Sequence, residues 1–169
     1  MARDHARIKT AIWRDEDWRA LTPDAQWLYQ AMTSQQALTY VGVLDWRPGR
    51  FAALAHGMTT RRVEKAAAEL VARRFVVVDE QTEEALVRTY VRHDGVLDRA
   101  NMGKAVARAL QNVISMKIRQ AILIELGRIY EESPRLAGWA GIADLFPDVM
   151  TDVTSMASVM PLPFAPRKA

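Results

Sequence analysis

The chain has no cysteine. Disulfides and thiolate metal sites are therefore excluded, and a reducing compartment fits. Its three histidines, His5, His56 and His93, stand far apart without ligand-like spacing, so each reads as a surface or loop residue and no metal is expected. No stretch approaches the roughly 18 uninterrupted apolar residues that a membrane span requires. The run MARDHARIKTAIW is charged throughout, not basic and then apolar, so neither secretion nor membrane insertion is expected. Also missing are a Gly-rich phosphate loop ending in Lys and Ser/Thr, a GxGxxG, an HExxH and a nucleophile elbow, which argues against an ATPase or a zinc hydrolase. The adjacent carboxylates Asp15, Glu16 and Asp17 diverge around a helix, and they read as a solvated helix start rather than an acid and base pair. The expectation is a protein without enzymatic activity or cofactor.

What is present is ample apolar material. Half of the 169 residues are hydrophobic, with five tryptophans, enough for one ordinary domain plus an appendage. Charge is unevenly spread. Residues 44–74 carry seven Arg or Lys against three Asp or Glu, whereas residues 75–100 carry three against six. A basic block is followed at once by an acidic one.

ALTPDAQWLYQAMTS predicts a helix: Thr22 is the N-cap, Pro23 takes the first helical position and Asp24 suits the dipole. Trp27, Leu28, Ala31 and Met32 form its apolar stripe, and Leu21 staples its start. Upstream, Ile12, Trp13 and Trp18 predict a short strand and a helical turn over the same core. LTYVGVLDW is β-rich and stops at Arg47, Pro48 and Gly49, where PGRFAALAHGM begins a short helix that buries Phe51, Leu54 and Ala55. Gly57 supplies a turn, and Thr59 or Thr60 caps a second helix to about Arg74 with Val63, Ala67, Leu70 and Val71 inward. Two helices and a tight glycine turn are a helix-turn-helix pattern.

FVVVDE then predicts a strand, QTEE a turn and ALVRTYV a second strand. A hairpin directly after the second helix is a wing, and the order helix, strand, helix, turn, helix, hairpin is the winged-helix plan. After HDGVLDRANMG, one helix of nearly 30 residues is expected from about Lys104 to Glu132. Its apolar row is Val106, Leu110, Ile114, Ile118, Ile122, Leu126 and Ile129. That row is too long for a small winged domain to cover, so it should meet either GWAGIADLF or a second copy of the chain. The fold expected is mainly α with a small β-hairpin (α+β): a winged helix-turn-helix over residues 1–96, a long helix and helical extension over 97–150 for packing or dimerisation, and a flexible tail over 151–169.

The chemistry concentrates in GMTTRRVEKAAAEL. A helix start is electropositive, so Arg61 and Arg62 in its first turn go against helix electrostatics and suggest an anionic partner. Arg61, Lys65, Ala68 and Ala72 share the outward face, flanked by Arg62 and Glu69. Long donors beside small residues suit a helix entering a groove about 12 Å wide. Thr59 and Thr60 can donate to phosphate, and Arg47, Arg50 and Arg73 can add phosphate contacts at the rim. An ordinary solvated helix face is the plainer alternative, and Arg73 also suits the negative end of its helix. Asp79, Glu80, Glu83 and Glu84 surround the hairpin tip. Four carboxylates there would be repelled by phosphate, so the tip is expected to face solvent or a protein partner.

The runs IWRDEDWRALTPDAQWLYQAM, GVLDWRPGRFAALAHGMT and FVVVDEQTEEALVRTYVRHDGV resemble the winged-helix domain of replication-initiation or replisome-organiser-like proteins of actinobacterial phages and prophages. The resemblance covers roughly Lys9 to Val96, with LDWRPGR and VRTYVRHDGV its most specific pieces. It implies a DNA-binding phage protein in the cytoplasm of a bacterial host, associated with the nucleoid, that acts on double-stranded DNA in replication initiation or transcription regulation. IADLF, residues 142–146, is also similar to the short peptide that bacterial replication proteins insert into the sliding clamp, although Ile142 stands where that peptide has glutamine. Leu145 and Phe146 serve equally as core anchors. The alternative function is therefore a protein-interaction module that binds a host replication protein through Glu83 and Glu84, or through Ile142, Leu145 and Phe146.

Overall fold

The protein, studied as a computed structural model, is described for residues 6, 8–93 and 95–159. It is mainly helical with one small antiparallel sheet. The first residues form a 3-10 turn, Thr10–Arg14, and a short helix α1, Glu16–Arg19, where a strand had been expected. Asp15 accounts for the difference, because its side chain accepts from the backbone N–H of Trp18 at 3.1 Å and offers the chain a local alternative to a strand ladder. Trp18 is thereby delivered into the core, edge-on to Tyr29 and Phe75 at centroid distances of 5.4 and 6.0 Å.

Helix α2, Pro23–Thr33, starts as its capping residues require, with the Thr22 hydroxyl accepting from Ala25 N–H at 3.3 Å. It buries Ala25, Leu28 and Met32. Strand β1, Val43–Asp45, leads into α3, Pro48–Ala52, which buries Phe51 against Trp46. The helix ends a turn earlier than its apolar pattern suggests, and Leu54 is left exposed. Gly57 turns the chain at a φ of +77° that an L side chain rarely adopts. Helix α4, Thr60–Ala72, then buries Val63, Ala66, Ala67 and Leu70. Val71, expected inward, is exposed, because it sits on the side of the helix away from the Val63–Leu70 row.

Strands β2, Val76–Asp79, and β3, Glu84–Val87, complete a sheet of order β1–β3–β2. Val43 pairs with Leu86, Asp45 with Glu84, and Val76 with Val87. The second strand stops four residues short of the expected Val91. Its neighbour β2 has already been turned away by Arg74 at φ +63°, so the chain coils into a single helical turn α5, Tyr90–His93. Val43 and Leu86, with Val77, join one apolar core, while Leu44, Val76, Val78, Ala85 and Val87 join the other. The sheet is thus covered on both faces, which explains why FVVV reads as an unbroken apolar run.

The single long helix expected over residues 104–132 is two helices, α6, Ala100–Gln111, and α7, Met116–Glu132. The hairpin breaks it. Glu84 accepts from the N–H groups of Ile114 and Ser115 at 3.1 and 2.6 Å, and Ser115 Oγ donates to Asp79 at 2.5 Å while accepting from Ile118 N–H at 3.2 Å. Lys117 Nζ donates to the Val78 carbonyl at 2.9 Å. A chain whose amides are taken by carboxylates cannot continue the i→i−4 ladder, so a new helix starts with Ser115 as its cap. Val106, Leu110, Ile118, Ile122, Leu126 and Ile129 are buried as expected, but Ile114 is turned out to solvent.

Helices α8, Ala137–Leu145, and α9, Pro147–Val159, cover this row from the same chain, with Trp139, Ile142, Val149 and Val153 in the shared core. Residues 151–159, expected in a flexible tail, are therefore helical, and residues 160–169 lie outside the described ones. Val41, Val43, Leu86 and Val91 belong to the same core as α6 to α9. The unit expected over 1–96 and the extension after it thus share the sheet. Arg92 on α5 strengthens that junction with ion pairs to Glu125 (2.6 Å) and Glu132 of α7. Desolvation pulls the Arg92 guanidinium down, and its bonds to Glu132 and Glu125 outweigh that and hold it charged.

Candidate nucleic-acid interface

The outward face of α4 is the most distinctive polar surface of the basic block. Thr59 is the N-cap, its hydroxyl accepting from Arg62 N–H at 3.3 Å. Thr60, Arg61, Lys65, Ala68 and Ala72 are exposed. Arg61 and Lys65 make no hydrogen bond or ion pair with any described residue, and the alanines leave their stems unobstructed.

Arg62, next in sequence, has a different role. Its Nε and Nη2 donate to the two carboxylate oxygens of Asp24 at 2.9 and 2.7 Å, and its Nη1 donates to the Gly57 carbonyl at 2.8 Å. The bidentate bond from Arg62, aided by the fields of Arg62 and Lys65, holds the Asp24 carboxyl below the usual carboxylate range, and the same bond raises the guanidinium. The cation that the start of α4 should disfavour is therefore matched by an anion from the start of α2, where an anion is favoured. About two turns further along α4, Glu69 accepts from the Thr22 N–H at 2.9 Å and from its hydroxyl at 2.6 Å. Arg62 and Glu69 together clamp α4 to the first turn of α2 and leave Arg61 and Lys65 outside the clamp.

Two of the rim cations are only loosely held. Arg47 lies 3.4 Å from Glu83 and Arg50 lies 4.0 Å from Asp45, all four side chains being well exposed, so these pairs exchange readily for other anions. Arg73 is the C-cap of α4 and exposed. The virtual Cβ of Gly49 in α3 is 3.9 Å from Thr60 Oγ1. The starts of α3 and α4, with Arg47, Arg50, Thr60 and Arg61, therefore lie side by side.

The residues singled out for a protein partner are dispersed. Glu83 pairs with Arg47, and Glu84 is taken up by the α6–α7 junction. Ile142 is fully buried, Phe146 packs partly buried on the same core, and Leu145 is exposed. The hairpin carboxylates Asp79 and Glu84, expected at a solvent-facing tip, turn instead towards Ser115, whose bond holds the Asp79 carboxyl below its usual range.

Two features escaped the sequence reading. The partners in Asp24–Arg62 are 38 residues apart and those in Thr22–Glu69 are 47 apart, and no local signal links them. The other was visible in composition: residues 99–124 contain five Lys or Arg and no Asp or Glu. Among the described residues no three His, Asp or Glu side chains converge as a metal site would require, and no helix is long and apolar enough to cross a membrane. Comparison with protein-family models, curated proteins and solved structures gives no match to this chain.

Proposed function

We propose that this chain is a non-enzymatic protein that binds duplex DNA, built as a winged helix-turn-helix in which α3 and α4 are the two helices, β2 and β3 the wing, and α4 the helix that enters the major groove. The sheet order β1–β3–β2, the glycine turn before α4 and the hairpin directly after it all support this reading. The observation that carries it is the division of charge on α4. Arg62 and Glu69 are spent on internal bonds, whereas Arg61 and Lys65 project over a surface of small residues with no partner among the described residues. Unpaired long cations on such a face gain most from phosphates and guanine edges. Thr60 and the exposed amides at the start of α4 add neutral donors to phosphate, and Arg47 and Arg50 add cations once they leave Glu83 and Asp45. Arg62 is a positioning residue in this reading.

The biological setting rests on the resemblance carried by the runs between Lys9 and Val96: a phage-type protein acting on double-stranded DNA in replication initiation or transcription control. The protein-interaction alternative draws less support, because Ile142 lies inside the core and Glu84 is committed to backbone N–H groups. The test is titration of a fluorescent random duplex at two salt concentrations with the wild type and the Arg61→Ala/Lys65→Ala double variant. The expected result is salt-sensitive binding, with the log–log salt slope reduced by about 1.8 in the double variant, or about 0.9 per lost phosphate contact. Absence of binding at low salt, or an unchanged slope in the double variant, would overturn the proposal.

A further inference from the structure

The acid-free stretch 99–124 spans α6, the junction that breaks the helical row and the first half of α7. Two of its cations are used internally: Lys104 pairs with Asp144 at 2.7 Å, and Arg119 donates to the Leu110 carbonyl at 3.1 Å. Arg108 is exposed and bonded to no described residue, and Lys117, although anchored on the Val78 carbonyl, is also exposed. Between them project Ile114 and Met116, 72% and 75% exposed, the most exposed large hydrophobic residues described. Their exposure follows from how the junction is built. Glu84 and Asp79 take the amides and hydroxyl of the break, and this turns Ile114 out of the apolar row it would have joined in a continuous helix.

The same bonds change what the hairpin presents. Two of the four carboxylates that would repel phosphate are turned towards the junction, whose Ile114, Met116 and Lys117 are exposed. The register places the hairpin tip at the same end of the sheet as the residues that lead into α3. Asp79 and Asp45 both pair with Glu84 across the sheet. Two residues beyond Asp45, Arg47 enters α3, whose Gly49 lies beside Thr60 at the start of α4.

We propose that the α6–α7 junction is a second contact for duplex DNA, taking the place that a basic hairpin tip would occupy. Arg108 and Lys117 meet phosphates, and Ile114 and Met116 act as an apolar wedge in the minor groove adjacent to the major groove read by α4. Isoleucine and methionine are among the residues that unstack a base step and kink the duplex by about 20–90°. Charge favours this occupant, since a stretch of 26 residues that holds five cations and no carboxylate of its own complements a polyanion. A second copy of the chain is a poorer fit, because two side chains fall far short of the roughly 800 Å² per partner that a stable interface buries. The inference extends the DNA-binding reading of α4.

The experiment uses the full chain and a random duplex carrying donor and acceptor dyes at its ends, with the variants Ile114→Ser/Met116→Ser, Arg108→Ala and Arg61→Ala. The substituted apolar side chains are exposed, so urea unfolding midpoints should match the wild type. The wild type should draw the duplex ends together. The serine double variant should abolish that bend and bind at least about tenfold more weakly at unchanged salt slope. Arg108→Ala should lower the slope by about 0.9. If Arg61→Ala weakens binding while both junction variants bind and bend DNA as the wild type does, this inference falls and the α4 reading stands. Loss of bend in the serine variant with no effect of Arg61→Ala would keep the junction and remove α4. A wild type that binds no duplex would overturn both. A wild-type dimer in light scattering that the serine variant dissociates, without a change in bend, would assign the junction to a second copy.

Discussion

Replacing Gly103 by alanine sets local helix preference directly against tertiary packing. Alanine is favoured over glycine in a helix interior by about 1 kcal/mol, so α6 considered alone should gain. In the folded protein a Cβ at Gly103 would lie 1.9 Å from the Gly138 carbonyl oxygen and 2.8 Å from its Cα, where ordinary contact begins near 3.4 Å. The obstacle is backbone, so no side chain can swing aside. Helices α6 and α8 would have to part by about 1.5 Å to restore that contact distance. This would pull Trp139 and Ile142 from the core and stretch the 2.9 Å bond from Gly138 N–H to the Leu97 carbonyl. Overpacking typically costs about 1–3 kcal/mol. At the upper end of that range, the net loss after the helix gain is about 2 kcal/mol. For a chain of this length that lowers the melting temperature by about 4–8 °C. Urea unfolding should show a lower midpoint at unchanged slope. Gly141→Ala should behave alike, its Cβ falling 1.9 Å from the Ala100 carbonyl oxygen, whereas Gly49→Ala, with only Thr60 Oγ1 at 3.9 Å, should be neutral or stabilising. A raised midpoint for Gly103→Ala would refute the backbone-contact account of α6 and α8.

Three further outcomes are expected. Arg61→Ala should flatten the salt dependence of duplex binding by about 0.9 in log–log slope, about 3.5-fold less loss between 50 and 200 mM salt, whereas Arg62→Ala should leave the slope intact and lower the melting temperature; equal slope changes would contradict the clamp. Asp24 and Asp79 both have carboxyls held below their usual range by Arg62 and Ser115. Their contribution to stability is therefore complete above the unfolded value near about 3.9 and is lost as pH falls through the lower folded values. Asp24→Asn and Asp79→Asn should each shrink the fall in stability below about pH 4, and a wild-type acid limb reproduced in both variants would dissociate these groups from it. Ser115→Ala removes the cap of α7, at a cost of about 1 kcal/mol, and frees Asp79 from the junction. Faster amide hydrogen exchange at Ile118 is the specific sign of that loss, and unchanged protection there would show that the cap is dispensable.

Much of the first half of the chain was legible because its signals are local. Thr22 and Pro23 start α2, Gly57 turns the chain, and Thr59 caps α4, each through contacts within about four residues. The four-residue row from Val106 to Ile129 likewise identified the inward side chains of α6 and α7, Ile114 apart. Long-range partners could not be read in this way. The row from Lys104 to Glu132 has continuous helical periodicity, and only Glu84 and Asp79, some 30 residues upstream, break it at Ser115. Leu54 and Val71 have apolar character without saying which element would cover them. Likewise the first turn of α4 shows two arginines that sequence cannot tell apart. Asp24 does so once α2 and α4 are packed, holding Arg62 and leaving Arg61 free. Sequence by itself determined the starts of α2 and α4, the glycine turn between α3 and α4 and the hairpin after them, because these depend on neighbours along the chain. Only the tertiary structure decided which charges are spent internally and which face outward, because a charge is neutralised by whatever anion lies within hydrogen-bonding distance, however far away it is in sequence.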